Sequence, residues 1–152
     1  MTYDTATALS PLDGRYASKL DPLRTIFSEY GLIARRLEVE VRWLQKLAET
    51  SEIPEVKPLS PTSNAHLEAV LTSFSSESAT AVKTIERTTN HDVKAIEYFL
   101  KDAISSDVAL AEACEFVHFA CTSEDINNLS HALMLRDGIP VLTAKMRAIT
   151  DG

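Results

Sequence analysis

The chain has 152 residues, enough for one ordinary domain, and its 45% hydrophobic and 24% charged residues are typical of a globular protein. A formal net charge of −7 argues against general nucleic-acid binding, which needs a cationic surface, but permits a small anionic substrate at a locally positive site. Because no apolar run reaches the roughly 18 residues of a membrane span and the N-terminal segment lacks the features of a secretory signal, we expect a cytoplasmic protein without membrane contacts.

The glycine content excludes two common nucleotide-binding loops. Only four glycines occur, and both the GxGxxG loop and the P-loop need several glycines so that the backbone can wrap a phosphate. Sustained apolar/polar alternation and Asn-Gly or Gly-Gly hairpin turns are also absent from the sequence. These patterns favour helices over strands.

The first predicted helix carries an apolar stripe that recurs every three or four residues and ends near Ser51, after about 20 residues. The stripe consists of Ile26, Tyr30, Ile33, Leu37, Val41, Leu44 and Ala48. Charged residues of this segment, including Arg36 and Glu40, are expected mainly off the stripe. The segment Ile53–Thr62 contains three prolines and is predicted to be a loop.

Five further helices are predicted along the chain, which makes the fold class all-α. The second begins near Asn64 and has a weak point at Ser75–Ser76, and the third spans Val93–Ile104. The others begin near Ser106–Asp107, after Thr122–Ser123 and at Pro140, the last because proline suits the first turn of a helix.

The two cysteines, Cys114 and Cys121, are expected to be reduced and buried. Their spacing of seven residues is two helical turns, which would put both on one face of the fourth helix, an unusual arrangement for a disulfide. The four histidines show no i, i+4 pair, so we predict no metal site. His118 and His131 fall on apolar helical stretches and are expected to be satisfied core or interface residues.

Three short polar segments lie at turns or predicted helix starts: Ser10–Tyr16, Thr88–Asp92 and Thr122–Asp125. Helix starts present free backbone N–H groups and the positive end of the helix dipole, and both favour an anion. The last segment also fits a capping box, so capping and ligand binding both stay open there.

Two of these segments carry groups suited to chemistry. His91 lies between Asn90 and Asp92, where a group that titrates near neutral pH has polar neighbours able to orient it, although a capping role is the alternative. Arg15 and Tyr16 follow an Asp-Gly turn and offer a planar cation and a phenol donor for a phosphate, although a solvated turn is equally compatible.

Four segments resemble the bacterial type of the adenylosuccinate lyase family, within the aspartase/fumarase superfamily. They are Ser10–Tyr16, Phe27–Ala48, Lys83–Lys101 and His118–Leu135. The resemblance implies an N-terminal helical domain over 1–121 and the start of a central long-helix bundle over 122–152. It also implies a homotetramer whose active sites combine residues of three subunits, with no metal or organic cofactor.

The family's activity would be elimination of fumarate from succinylated purine nucleotides, namely adenylosuccinate and succinyl-aminoimidazole-carboxamide ribotide. By resemblance, Arg15 and Tyr16 hold the nucleotide phosphate, and Asn90–Asp92 line the substrate, where His91 orients it or supports the general acid. Thr122 and Ser123 would bind a succinyl carboxylate.

The main acid histidine and the base serine that the family uses have no counterpart in this sequence. The last helical pattern also runs almost to Thr150 without a cap, so we expect the first portion of a longer enzyme, inactive on its own. Two alternatives remain: a non-catalytic helical binding or assembly module, and another lyase of the superfamily, such as argininosuccinate lyase.

Overall fold

A computed structural model describes residues 4–151, and within that range the chain forms seven α-helices and no strand, which confirms the all-α fold class. The helices are α1 (Asp21–Phe27), α2 (Glu29–Glu49), α3 (Pro61–Thr72), α4 (Ser76–Thr89), α5 (Asp92–Ile104), α6 (Val108–Ala113) and α7 (Ser123–Thr150). Short 3-10 turns occupy Thr5–Thr7, Ala17–Lys19 and Cys114–Phe116. None of the described helices is both long enough and apolar enough to cross a membrane.

Helix α2 lies at the centre of the fold and packs against α1, α3, α4, α5 and α7. Its predicted stripe is confirmed as core, since Leu37, Val41 and Leu44 are at most 1% exposed. They join Ile96 and Leu100 of α5 in the main hydrophobic cluster. Burial of this stripe, rather than helix propensity, supplies most of the stability of such a helix.

The expectation of one continuous first helix is wrong, because α1 and α2 are separated at Ser28. The Ser28 hydroxyl accepts a hydrogen bond from the Gly31 amide at 3.3 Å and so caps α2. The end of α1 lies directly against Gly31, where a Cβ would stand 2.3 Å from the Ile26 carbonyl oxygen. The apolar spacing continues across this joint, and it therefore concealed the break.

The predicted second helix is also two helices, divided at its expected weak point. Ser75 caps α4 in a capping box with Ser78. Helix α3 begins earlier than expected, at Pro61 instead of Asn64, because the Ser60 hydroxyl accepts from the Ser63 amide and Pro61 occupies the first turn.

The predicted fourth helix ends at Ala113, so the expectation that Cys114 and Cys121 share one helix face is wrong. A 3-10 turn follows, and then a loop in which His118 and Ala120 have positive φ angles of 64° and 60°. Both thiols are free, and they are half-buried rather than buried. Burial raises the pKa of each thiol above its ordinary value.

The predicted fifth and sixth helices form the single helix α7, with Pro140 inside it instead of at a helix start. Proline lacks the N–H that would pair with the carbonyl of Arg136 four residues earlier. Both Pro140 and Arg136 are exposed, so water can satisfy that carbonyl and the helix continues. The first half of α7 packs on α2, whereas the boundary predicted near Thr122 between two domains stays a prediction.

Candidate functional site

The segment between α4 and α5 turns sharply and presents His91 at its outer edge. Asn90 ends α4 in a left-handed conformation with φ 51°, which asparagine tolerates better than most residues. His91 caps α5, since its Nδ1 accepts a hydrogen bond from the Lys94 amide at 3.1 Å. Asp92 is the first residue of the helix.

The capping bond fixes which nitrogen of His91 is available. Because Nδ1 accepts from the backbone, a neutral imidazole in this geometry carries its proton on Nε2. That Nε2 lies 3.4 Å from the Ser123 Oγ, at the start of α7. His91 is exposed, so capping and presentation of an outward-facing donor coexist in one side chain.

The start of α7 is a confirmed capping box. The Thr122 Oγ accepts from the Asp125 amide at 3.4 Å, and the Asp125 carboxylate accepts from the Thr122 amide at 2.7 Å. The backbone hydrogen bond from Thr122 lowers the pKa of Asp125. The Ser123 hydroxyl takes no part in this box and faces His91. Binding of a carboxylate by Thr122 and Ser123 stays a prediction.

Arg36 of α2 forms hydrogen bonds with residues at the starts of both α5 and α7. Its guanidinium donates to the Asp92 carboxylate at 2.6 Å and to the Asn127 side-chain oxygen at 2.9 Å. Burial acts to raise the pKa of Asp92, but the Val93 amide and the Arg36 charge outweigh it and the net shift is downward. Arg36 is 6% exposed, whereas the Asp92 side chain is 44% exposed, so water reaches the carboxylate but hardly the guanidinium.

A second buried charge on α2 holds the loop before α7. The Glu40 carboxylate is 2.6 Å from the His118 Nδ1, and Glu40 is fully buried. Burial raises the pKa of Glu40 despite the opposing effect of His118. The expectation that His118 is a satisfied residue is confirmed, although it lies in a loop rather than on a helix. His131 is exposed on α7, so it is not a core residue of this chain, and its place in an interface stays a prediction.

Sequence reasoning missed the roles of Arg36, Glu40 and Asn127. The first two were expected mainly off the apolar stripe, yet both are buried. Their spacing of four residues, which places them on one face of α2, was an available signal. This signal was overlooked because a single buried stripe was expected, whereas α2 is buried around most of its circumference.

Arg15 and Tyr16 form no hydrogen bond or ion pair with His91 or Ser123 within the described residues. The Arg15 guanidinium lies 5.3 Å from the centre of the Tyr16 ring, and both side chains are exposed. Helix α1, which follows this loop, contacts α7 through Phe27 at Gly138. Gly138 lies 15 residues beyond Ser123, about 22 Å along the helix axis.

An apolar groove of about 780 Å³ runs between α2 and α7 beside these helix starts. Its lining includes Val39, Trp43, Cys121, Leu129 and Leu133. Neither His91 nor Ser123 lines it, and its mainly apolar walls do not suit an anionic substrate. The exposed junction of the two helix starts is therefore the better candidate site.

Comparison with known proteins matches residues 14–152 to a family model described as a lyase. The chain is 62% identical to an adenylosuccinate lyase of Haemophilus influenzae over 135 residues, which are 89% of this chain and 30% of that protein. It is 54% identical to the adenylosuccinate lyase of Escherichia coli K12 over 153 residues, covering 100% of this chain and 34% of that protein. The Vibrio cholerae adenylosuccinate lyase is 53% identical over 99% of this chain and 33% of its own length. The chain thus spans about a third of the length of these curated relatives.

Proposed function

This chain belongs to the lyase family, and from that premise we propose that it supplies substrate-positioning residues of an adenylosuccinate lyase. Such an enzyme eliminates fumarate from adenylosuccinate, giving AMP, and from succinyl-aminoimidazole-carboxamide ribotide. The observation that carries the proposal is the apposition of His91 and Ser123, 3.4 Å apart, at the start of a 28-residue helix. High identity to adenylosuccinate lyases across this whole region supports it.

The proposed reaction needs pre-placed donors for developing negative charge. Removal of a proton beta to the leaving nitrogen gives a carbanion delocalised into a carboxylate, which hydrogen-bond donors stabilise. In the proposal, Ser123 and the free amides at the start of α7 receive that carboxylate, and the His91 Nε2 orients the substrate beside them. Arg15 and Tyr16 would bind the nucleotide phosphate at a site completed by another subunit, which would unite residues that share no hydrogen bond or ion pair within the described chain.

The proton transfers are assigned outside these 152 residues. A general acid and a general base must both reach the substrate, and we propose that a histidine and a loop serine from further along an enzyme of the relatives' length supply them. The proposal includes no metal or organic cofactor and places the enzyme in the cytoplasm.

We propose further that the enzyme is a homotetramer assembled through α7. Leu135, Ile139, Leu142 and Met146 alternate in steps of four and three residues and are 48–67% exposed. That spacing gives a continuous apolar seam of the kind that pairs helices in bundles. Packing against the same helix of another copy would remove these apolar side chains from water. Light scattering of the complete gene product would give the mass of the assembly.

The decisive experiment is a turnover assay on the complete gene product that contains this sequence. Loss of the succinyl-purine absorbance should occur with adenylosuccinate, whereas the 152-residue chain alone should show no turnover because it lacks the proton-transfer groups. Absence of turnover by the complete product, or near-normal turnover by the chain alone, would contradict the proposal.

A further inference from the structure

We infer that Arg36 is a positioning residue for the proposed reaction: it fixes the two helix starts so that His91 and Ser123 face one substrate. The inference rests on the proposed function and adds a residue that lies beneath the site without touching the substrate. The alternative is that Arg36 only stabilises the fold, and the experiments below separate the two.

The exposed pair at the site cannot hold its own geometry. The His91 Nε2 and Ser123 Oγ are 3.4 Å apart, at the long end of the range for a hydrogen bond, and both lie at the surface, where water competes for them. His91 is held by its cap to α5, and Ser123 is held by its place in α7. The distance between them is therefore set by whatever joins α5 to α7.

The two helix starts share a small apolar cluster with α2, and Arg36 adds directional bonds to both of them from one side chain. Its bond to Asp92 acts on the residue next to His91, and its bond to Asn127 acts one helical turn after Ser123. The guanidinium is planar and presents donors at fixed angles, so the two bonds together fix both the separation and the relative orientation of the helix starts.

Lysine cannot reproduce this arrangement. An ammonium group is a single point of charge on a flexible stem, and it would retain the attraction to Asp92 while losing the fixed bond to Asn127. Arg36→Lys therefore preserves the positive charge that Asp92 requires but releases the angle between α5 and α7. The substitution separates neutralisation of the Asp92 charge from the relative orientation of the two helices.

The same helix provides a matched control in Arg42. Its guanidinium contacts the Glu68 carboxylate of α3 with two nitrogens, and both side chains are about half exposed. Arg42 joins α2 to α3 and contacts neither of the two helix starts. Arg42→Lys therefore makes the same chemical change on the same helix, also at a carboxylate, away from the site.

Both variants are made in the complete gene product and assayed for kcat and KM with adenylosuccinate. We expect Arg36→Lys to lower kcat roughly 10- to 100-fold, because small misplacements of catalytic and binding groups have effects of that size. Arg42→Lys should stay within about twofold of the wild type, because exposed ion pairs contribute little. If Arg36→Lys fails to fold, Asn127→Ala serves as the second variant. It removes only the hydrogen bond between Arg36 and α7, and it should also lower kcat.

A double substitution distinguishes positioning from general destabilisation. If Arg36 acts through His91, Arg36→Lys should change kcat by no more than about twofold in a His91→Asn background, since coupled residues are not additive. Independent multiplication of the two losses would overturn the inference. Asparagine is chosen because it retains a capping oxygen.

Amide hydrogen exchange tests the geometry without substrate. The Lys94 amide, which donates to His91, should exchange faster in Arg36→Lys than in the wild type or Arg42→Lys. Unchanged exchange at Lys94 together with unchanged kcat in an active enzyme would overturn the role of Arg36. A wild-type protein without turnover but with faster Lys94 exchange in Arg36→Lys would instead overturn the proposed function.

Discussion

The two halves of α7 differ in what surrounds them. Along the first half, Ile126, Ser130, Met134 and Gly138 are buried at regular spacing against the rest of the chain. Beyond Gly138 no described residue of α7 is buried, and Ile149 is 82% exposed. One helix therefore has a completed inner half that carries the candidate site and an outer half whose apolar side chains face water.

The candidate site and the proposed assembly surface are therefore separate parts of the same helix. Hydrogen bonds from the buried side chains of Arg36 and Glu40 reach the start of α7 and the loop before it, so this half of the helix is held by contacts within the chain. The seam beyond Leu135 has no such partners among residues 4–151. Substitutions in the inner half should affect folding, and those in the outer half should affect association.

The largest stability effect should come from Met134→Ala in the inner half. Met134 is 6% exposed, and truncation of a buried methionine costs about 2–5 kcal/mol through lost burial and the cavity left behind. Denaturant unfolding of the complete gene product would measure it. Leu129→Ala, on the same half of α7 and outside the proposed apolar seam, is the matched control, because Leu129 is 56% exposed and its truncation should cost less than about 1 kcal/mol. Equal losses of unfolding free energy in the two variants would contradict the burial of Met134 as the source of its effect.

Asp92→Asn should have an intermediate, pH-dependent effect on the free energy of unfolding, because it removes the charge that pairs with Arg36. We expect a loss of about 1 kcal/mol at pH 7, reduced from that of a buried pair because the Asp92 side chain is 44% exposed. The pKa of Asp92 is lowered in the folded protein: burial opposes ionisation, but the Val93 amide and Arg36 outweigh it.

A lowered carboxyl pKa fixes the sign of the pH dependence. The stabilisation is fully present above the ordinary aspartate pKa of about 3.9 and is lost as pH falls through the lower folded value. The difference in unfolding free energy between wild type and Asp92→Asn should therefore shrink below about pH 4. A difference that grew on acidification would contradict the assignment.

The smallest effect on folding should come from Ile149→Ser at the outer end of α7. Ile149 is 82% exposed in this chain, so the free energy of unfolding of the separated subunit should change by less than about 0.5 kcal/mol. Association of the complete gene product, followed by light scattering against concentration, should weaken because a polar group replaces an exposed apolar side chain about one helical turn beyond the seam. Unchanged association would exclude this end of the helix from the interface.

Periodicity predicted the helices well but misplaced their ends. The predicted span of α5, Val93–Ile104, differs from the observed Asp92–Ile104 by one residue. The break at Ser28 was missed because the apolar spacing continues across the joint, although the helix ends there and Ser28 caps the next one. Pro140 was expected at a helix start because proline favours the first turn. The sequence pattern does not show that the Arg136 carbonyl is exposed, so that water can satisfy it inside a helix.

The candidate site was predictable in part. Thr122 and Asp125 form the expected capping box, since that motif depends on contacts within one turn. The apposition of His91 to Ser123 across 32 residues has no local signature, and neither does the burial of Arg36 between three helices. Such contacts depend on tertiary packing, which a spacing pattern does not encode.

The most direct test of the account compares His91→Asn with His91→Ala in the complete gene product. Asparagine can cap α5 as histidine does, whereas alanine cannot and should cost about 1 kcal/mol of stability. We predict that kcat for adenylosuccinate falls at least roughly 100-fold in both variants, although only His91→Ala loses stability. Wild-type kcat in His91→Asn would reduce His91 to a cap and contradict the proposed site.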